Sequence, residues 1–374
     1  AAELDELGVQ CPRTRRELTH PEISAAYPPV AQASFVATQL GVRLATGLFE
    51  AEREAASRRG MRIFFTLADL LCLWPLVLLL RRSRLPSALS VVWGWSPLVA
   101  MEFGASGHFD SLGILLLLGA LVFLTRRATR VSETESVVTP LGDAIGSSLL
   151  AASILVKFLP LCLVPFVCRG RFAIRRGAVL VLALVLAGVV PFFFLKQGFS
   201  GLTSGLTEYG VRWESFNFVY SWIEAVPSAL GLELDRGLTD PRLLARGFCL
   251  LLWVAWGVWL YSRTQSLVRA ASSLIALFLF LTPTLHPWYL CWLLPFLALR
   301  PRFSWLWVAF AAPALYVTRY AYLTGESAEA PGWLWPLIVV PFLAFLSYEA
   351  LDAWALHRGE DGSEFKRAPR ILES

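Results

Sequence analysis

From Met61 nearly to the C-terminus, the sequence alternates long apolar runs with short polar breaks. Runs at 61–80, 85–102, 109–125, 177–195, 243–261, 270–285, 303–320 and 332–352, with a shorter one at 287–299, approach the roughly 17–25 residues a helix needs to cross about 30 Å of hydrocarbon. In lipid only helices and closed barrels satisfy their own backbone polar groups, and a barrel would show alternating segments of about ten residues instead. The pattern therefore predicts an all-α fold, a polytopic transmembrane helical bundle of about nine spans that occupies 1–374 as a single domain.

Two apolar segments do not read as simple crossings. Residues 144–168 have Arg-rich stretches at both ends and carry Lys157 and Pro160 in their middle, so a re-entrant hairpin of two half-helices with Lys157 at its tip is expected. Residues 28–49 are interrupted by Gln32, Thr38, Gln39 and Arg43, which predicts a half-inserted or interfacial helix starting at Pro28-Pro29. Between Gln197 and Arg242 lies the longest external loop. Within it Leu202, Leu206, Tyr209, Trp213 and Phe216 recur at steps of four and three, the face of a helix that either lies on the membrane surface or packs over the bundle.

Charge then orients the bundle. The Arg clusters at 81–84, 126–130, 169–176, 263/269 and 300/302 sit between apolar runs, and the positive-inside rule places them in the cytoplasm together with the tail 357–374. The same distribution explains the net charge of +5 and the pI near 9.0 without invoking nucleic acid. With 56% hydrophobic and 16% charged residues and a mean hydropathy of +0.58, the chain carries more apolar surface than one water-soluble core could hide. The six cysteines form no CxxC pair, and all but Cys11 lie inside apolar segments, where they read as small core residues and not as metal ligands or disulfides. The polar opening AAELDELGVQCPRTRRELTHPE lacks an initiating Met and a signal-like start, which suggests an N-terminal truncation.

This topology gathers ionisable and aromatic residues on the outer face: His20, Glu22 and Tyr27; Glu102, His108 and Asp110; Glu208, Arg212 and Asn217; His286, Trp288 and Tyr289; Arg319 and Tyr320. Convergence of acids, histidines and aromatics at one membrane rim is the pattern of a site. In MEFGASGHFDSLG (101–113), Gly104 and Gly107 allow a tight turn and put His108 and Asp110 in the first turn of the next helix, whose N-terminus could hold a phosphate. The alternative there is a helix-capping Asp110 beside a water-facing His108. In LTPTLHPWYLCWLLP (281–295), Pro283 and Pro287 force His286 into a kinked turn, with Trp288 and Tyr289 either lining the site or anchoring the interface. Lys157, costly inside an apolar run, either pairs with an anion or snorkels to an interface.

The segments YPPVAQASF (27–35), ADLLCL (68–73), GWSPLVAMEFGASGHFDSLGILLLLGAL (94–121), ILVKFLPLCLVP (154–165), GLTEYGVRWESFNF (205–218) and LTPTLHPWYLCWLLPF (281–296) occur in an order and spacing that resembles bacterial membrane glycosyltransferases of the GT-C superfamily. The likeness is to the polyprenol-phosphate-mannose-dependent type, including glycosyltransferase family 87 and relatives of the GPI mannosyltransferase. It implies inverting transfer of a hexose, with mannose the commonest guess, from a polyprenyl-phosphate carrier to a lipid or glycan acceptor on the outer face of a bacterial cytoplasmic membrane, without a nucleotide; no cofactor or metal ligand set is expected from the residues. An inverting transfer needs a carboxylate for the acceptor's proton and cationic or N–H groups for the leaving phosphate. The resemblance also implies a catalytic acid in a first external loop, which would lie upstream of Ala1. Within the chain Asp110, Glu102 and His108 are then the catalytic candidates, and His286, Trp288, Tyr289, Lys157, Arg212, Tyr27 and Asn217 the substrate-binding ones. A transporter or flippase of a lipid-linked saccharide is the alternative. It would show ionisable residues at mid-membrane depth and an internal repeat, whereas only Lys157 and Asp69 sit at depth and no repeat stands out.

Overall fold

In a computed structural model, residues 27–47, 50–125, 139–191, 198–231, 240–317 and 331–358 are described, and their regular structure is entirely helical. The principal α-helices are α1 (Pro29–Thr46), α2 (Glu50–Arg82), α3 (Asp110–Leu124), α4 (Pro140–Ile154), α5 (Ala173–Leu184), α6 (Gly198–Arg212), α7 (Tyr220–Ala229), α8 (Pro241–Arg263), α9 (Leu267–Leu281), α10 (Phe303–Ala311) and α11 (Leu334–Arg358). Shorter α, 3-10 and π turns join them.

The helices follow the apolar runs, but the described residues do not form nine unbroken crossings. Among the described residues three stretches, Glu54–Arg82, Pro241–Arg263 and Leu334–Trp354, are long and apolar enough to cross a membrane. A fourth qualifies only if Pro97–Ala105 and Asp110–Leu124, which meet at a bend of 118°, count as one span. These helices are compatible with an integral membrane protein. The shortfall has a cause in the backbone. Ser87–Ser90, Val91–Gly94, Pro97–Val99 and Ala100–Ala105 are separate 3-10, α and π pieces where one span, 85–102, was expected, and Pro86 and Pro97 sit at the starts of two of them. Pro287 and Pro295 likewise open the short helices that replace the 287–299 span, because proline removes a backbone donor and clashes with the preceding turn. Hydropathy counts apolar residues and is blind to such breaks.

The chain divides into two compact units: Ala1–Cys72, Phe103–Leu124 and Val138–Trp213 form one, and Leu73–Glu102, Thr125–Val137 and Glu214–Ser374 the other. In the first unit, α3 and α4 form an antiparallel hairpin. The Ser153 hydroxyl donates to the Gly113 carbonyl at 2.7 Å, Gly119 faces Leu149, and Gly146 faces Leu124 and Phe123. Small residues at 119 and 146 let the two backbones approach, as at close helix crossings in lipid. Helix α5 runs parallel to α4: Arg176 binds Asp143 at the start of α4, and Gly188, just past α5, faces Leu155 at its end. The intervening chain must therefore travel back along α4, which it does through Leu159–Leu163, Val164–Val167 and Gly170–Phe172. Lys157 lies at the break between α4 and this return.

The second unit packs α8 on α7 and α9, and α10 on α11. Its core joins Tyr220, Ala245, Cys249 and Leu281. The 197–242 loop also departs from expectation. Helix α6 ends at Arg212, so Trp213 and Phe216 fall beyond it, and a second helix, α7, follows. The expected residues His20, Glu22, Arg319 and Tyr320, the Arg cluster 126–130 and the tail beyond Arg358 lie outside the described residues.

The close approach of α3 and α4 yields a first test. A Cβ at Gly146 would stand 2.7 Å from Leu124 Cγ and 3.1 Å from Phe123 Cβ, whereas one at Gly247 in α8 meets nothing within 4 Å. Gly146→Ala should destabilise the protein by about 1–3 kcal/mol, and Gly247→Ala should be neutral or stabilising by up to about 1 kcal/mol. Chemical denaturation in bicelles measures both, and equal effects would argue against the α3/α4 register.

Candidate functional site

Three backbone ends converge in the first unit. Helix α1 begins at Pro29 with no side-chain cap. Its early N–H groups, from Val30 and Ala31, instead donate to the Leu155 carbonyl at 3.0 and 3.3 Å, so the donor end of α1 closes on the acceptor end of α4. The third end is the start of α3. It is reached through Gly107, whose φ of +70° only glycine adopts without strain. A side chain there would also strike the backbone of α2, since a Cβ would come 3.1 Å from Arg62 Cα and 3.3 Å from Arg62 N. Of the two glycines expected to shape this turn, only Gly107 is required; around Gly104 there is open space, and it lies inside a π-turn.

The turn delivers a carboxylate between two cations or potential cations. Asp110 is fully buried, with His108 Nδ1 2.6 Å from Oδ2 and Lys157 Nζ 2.6 Å from Oδ1. His108 and Lys157 side chains keep about a fifth of their surface exposed, 20% and 21%. Of the alternatives in the sequence, a capping Asp110 beside a water-facing His108 and a snorkelling Lys157, neither describes this arrangement, because the three groups form one ionic cluster. Its floor is aromatic. Phe109 stacks on His108 at 5.0 Å and has Lys157 Nζ 6.0 Å from its ring. Tyr27 meets it edge-on at 4.9 Å and Phe35 at 5.6 Å, with Phe65 behind. Polar links fix the neighbouring backbone: the Ser111 hydroxyl donates to the Phe65 carbonyl at 2.8 Å and that of Thr66 to the Phe103 carbonyl at 3.1 Å.

A buried carboxylate in low dielectric is tolerated only when paired, and here both oxygens are. The arrangement leaves its exposed chemistry on the partners. A histidine with Nδ1 turned to a carboxylate directs Nε2 away from it, and a lysine ammonium carries three donors and a full positive charge.

The other candidates belong to the second unit or end the first. Glu102, also fully buried, lies in the π-turn Ala100–Ala105 and accepts the Tyr316 hydroxyl at 2.6 Å. His286 occupies the extended residue before Pro287–Leu290, as the flanking prolines predicted, and stacks on Trp288 at 4.3 Å with Tyr289 edge-on at 5.6 Å. The Asn217 amide donates to the Ser215 carbonyl and the Ser221 hydroxyl, and its oxygen accepts from the Ser221 N–H. Asn217 thus staples the turn that starts α7. Arg212 is the final residue of α6.

Sequence reasoning missed Tyr316, which is 214 positions from Glu102, a separation that no local motif spans. It also missed the cluster in which Arg246 binds Glu214 at 2.9 Å, the Tyr220 hydroxyl donates to Glu214 at 3.3 Å, and Arg242 lies 3.4 Å from Glu224. Burial pushes the Tyr220 phenol up to about 12 against the opposing charge of Arg246, so it stays a proton donor.

If Asp110 and Lys157 form one buried pair, their substitutions must be non-additive. Asp110→Asn and Lys157→Met should show a coupling of about 1–3 kcal/mol in a double-mutant cycle followed by denaturation; additivity within about 0.5 kcal/mol would dissolve the pair. Gly107→Ala should cost about 1–3 kcal/mol and Gly104→Ala far less.

No family model, curated protein or solved structure matches this chain, so the reading of the site rests on its residues and geometry.

Proposed function

We propose that the protein is a membrane glycosyltransferase that moves a hexose, mannose being the first choice, from a polyprenyl-phosphate carrier to a lipid or glycan acceptor at the outer face of a bacterial membrane. The observation that carries this reading is the fully buried Asp110 held 2.6 Å from both His108 and Lys157. The motif resemblance to GT-C glycosyltransferases and the long apolar helices support it.

Each group has a role that its surroundings suit. Lys157 sets its positive charge beside the carrier phosphate and balances the negative charge that grows on that phosphate as the glycosidic C–O bond breaks. His108, oriented through Nδ1 by Asp110, takes the proton from the acceptor hydroxyl at Nε2 as that oxygen attacks the anomeric carbon from the opposite face. Because Asp110 is closed off and committed to two partners, it positions His108 and Lys157 and does not itself accept the proton. Tyr27 and Phe109 form an apolar wall that lowers the local dielectric and strengthens these charges.

A flippase reading would use the same phosphate grip without bond chemistry, and the two differ in one measurable respect. In membranes bearing the protein, His108→Ala should lower transfer of a radiolabelled sugar from its polyprenyl phosphate by about 10²–10⁴-fold, the usual share of a general base. Lys157→Ala should act on both turnover and donor affinity, and Asp110→Asn should lower turnover while leaving the fold intact. Undiminished transfer in His108→Ala would defeat the assignment, and carrier translocation without any glycosidic product in the unaltered protein would favour the flippase.

A further inference from the structure

The second unit contains a cavity of about 460 Å³ that the ionic cluster does not use. Ser215, Asn217, Ser221 and Trp222 line one side, and Leu334 and Trp335 the other. Its size falls within the roughly 300–1,000 Å³ usual for small-ligand sites. The two indoles form a corner, with ring centroids 5.6 Å apart and planes at 37°. Trp222 is 62% exposed. Among the described residues that line it, none carries a charge.

That chemistry selects a class of ligand. A phosphate or other anion would find no cation among the described lining residues, and a simple alkyl chain would make no use of the polar serines Ser215 and Ser221. A neutral pyranose ring meets both demands. Its axial C–H bonds, weakly positive, lie against the electron-rich faces of the indoles, while its ring hydroxyls reach the serine hydroxyls at the rim. The shape is held by backbone and side chain together. Asn217 ties Ser215 to Ser221, the Ser215 N–H donates to the Pro283 carbonyl at 3.2 Å, and the Leu285 N–H donates to the Phe216 carbonyl at 2.8 Å. These last two bonds pair one wall of the cavity with the turn that carries His286, whose ring stacks on Trp288.

We infer that this cavity is a binding subsite for a neutral saccharide, with Trp222 and Trp335 as stacking platforms and Ser215 and Ser221 as hydroxyl partners. The inference deepens the glycosyltransferase reading, on which its choice of sugar rests, by giving the protein a saccharide grip separate from its phosphate grip.

Calorimetric titration of methyl α-mannopyranoside and a mannose disaccharide into the protein in lipid nanodiscs tests it; maltoside detergents are avoided because they carry pyranose rings themselves. Saturable binding is expected, weakened at least tenfold by Trp222→Leu and by Trp335→Leu. It should be unchanged by Trp333→Leu, which alters a neighbouring exposed indole outside the lining. Trp335→Phe, which keeps a ring, should weaken binding less than the leucine does, and thermal melts report whether each variant is folded. Absence of saturable binding to the unaltered protein, or equal affinity in the folded Trp222 and Trp335 variants, would overturn the inference. The double variant His108→Ala/Lys157→Ala separates the two readings: saccharide binding that persists while transfer is unaffected removes the catalytic assignment alone, and transfer that depends on His108 without any saccharide binding at the cavity removes the subsite alone.

Discussion

A carboxylate with no exposed surface has to be answered by partners on the spot, and the first unit is organised around that demand at Asp110. Lys157 reaches it because α4 runs antiparallel to α3 and stops three residues short of the lysine. His108 reaches it because Gly107 turns the chain in a conformation closed to other residues. Leu155, whose carbonyl would otherwise stand unsatisfied at the end of α4, is bonded by the first N–H groups of α1. The hairpin register, the break after α4 and the entry of α1 are thus parts of one electrostatic solution.

The same unit holds a second buried acid with a different answer. Asp143, at the start of α4, is bound by Arg175 and Arg176, and both guanidiniums lie over Phe172. Arginine is permanently charged and fork-shaped, which suits a fixed structural pair. Asp110 faces a lysine and a histidine, groups able to exchange protons. One helix therefore carries a locked ion pair at its start and a chemically versatile one beyond its end, and this contrast is why the catalytic reading attaches to the second.

In the second unit the polar residues mostly shape backbone. Asn217 fastens the entry to α7, the buried Tyr220 anchors Glu214 beside Arg246, and His286 sits in a turn bonded to 215–216. What these leave open is a cavity whose described lining is aromatic and uncharged, in contrast to the charged cluster of the first unit.

The sequence by itself determined that the chain is helical and rich in lipid-compatible segments, because apolar run length is a local property. Local, too, were the proline-bounded turn at His286, the start of α1 at Pro28-Pro29 and the interruption at Lys157, each written in residues that restrict their own backbone. The number of unbroken helices was not local: 85–102 reads as one apolar span, yet it forms four short pieces, two of them opened by proline, and α6 ends at Arg212 although its apolar period runs on to Phe216. Only the tertiary structure decided that Asp110 would be enclosed by Lys157, that Glu102 would take a bond from Tyr316, and that Trp222 would meet Trp335. Those pairings join residues 47, 214 and more than a hundred positions apart, and no spacing rule in a single sequence records which of the many possible long-range partners satisfies a buried charge or closes a cavity.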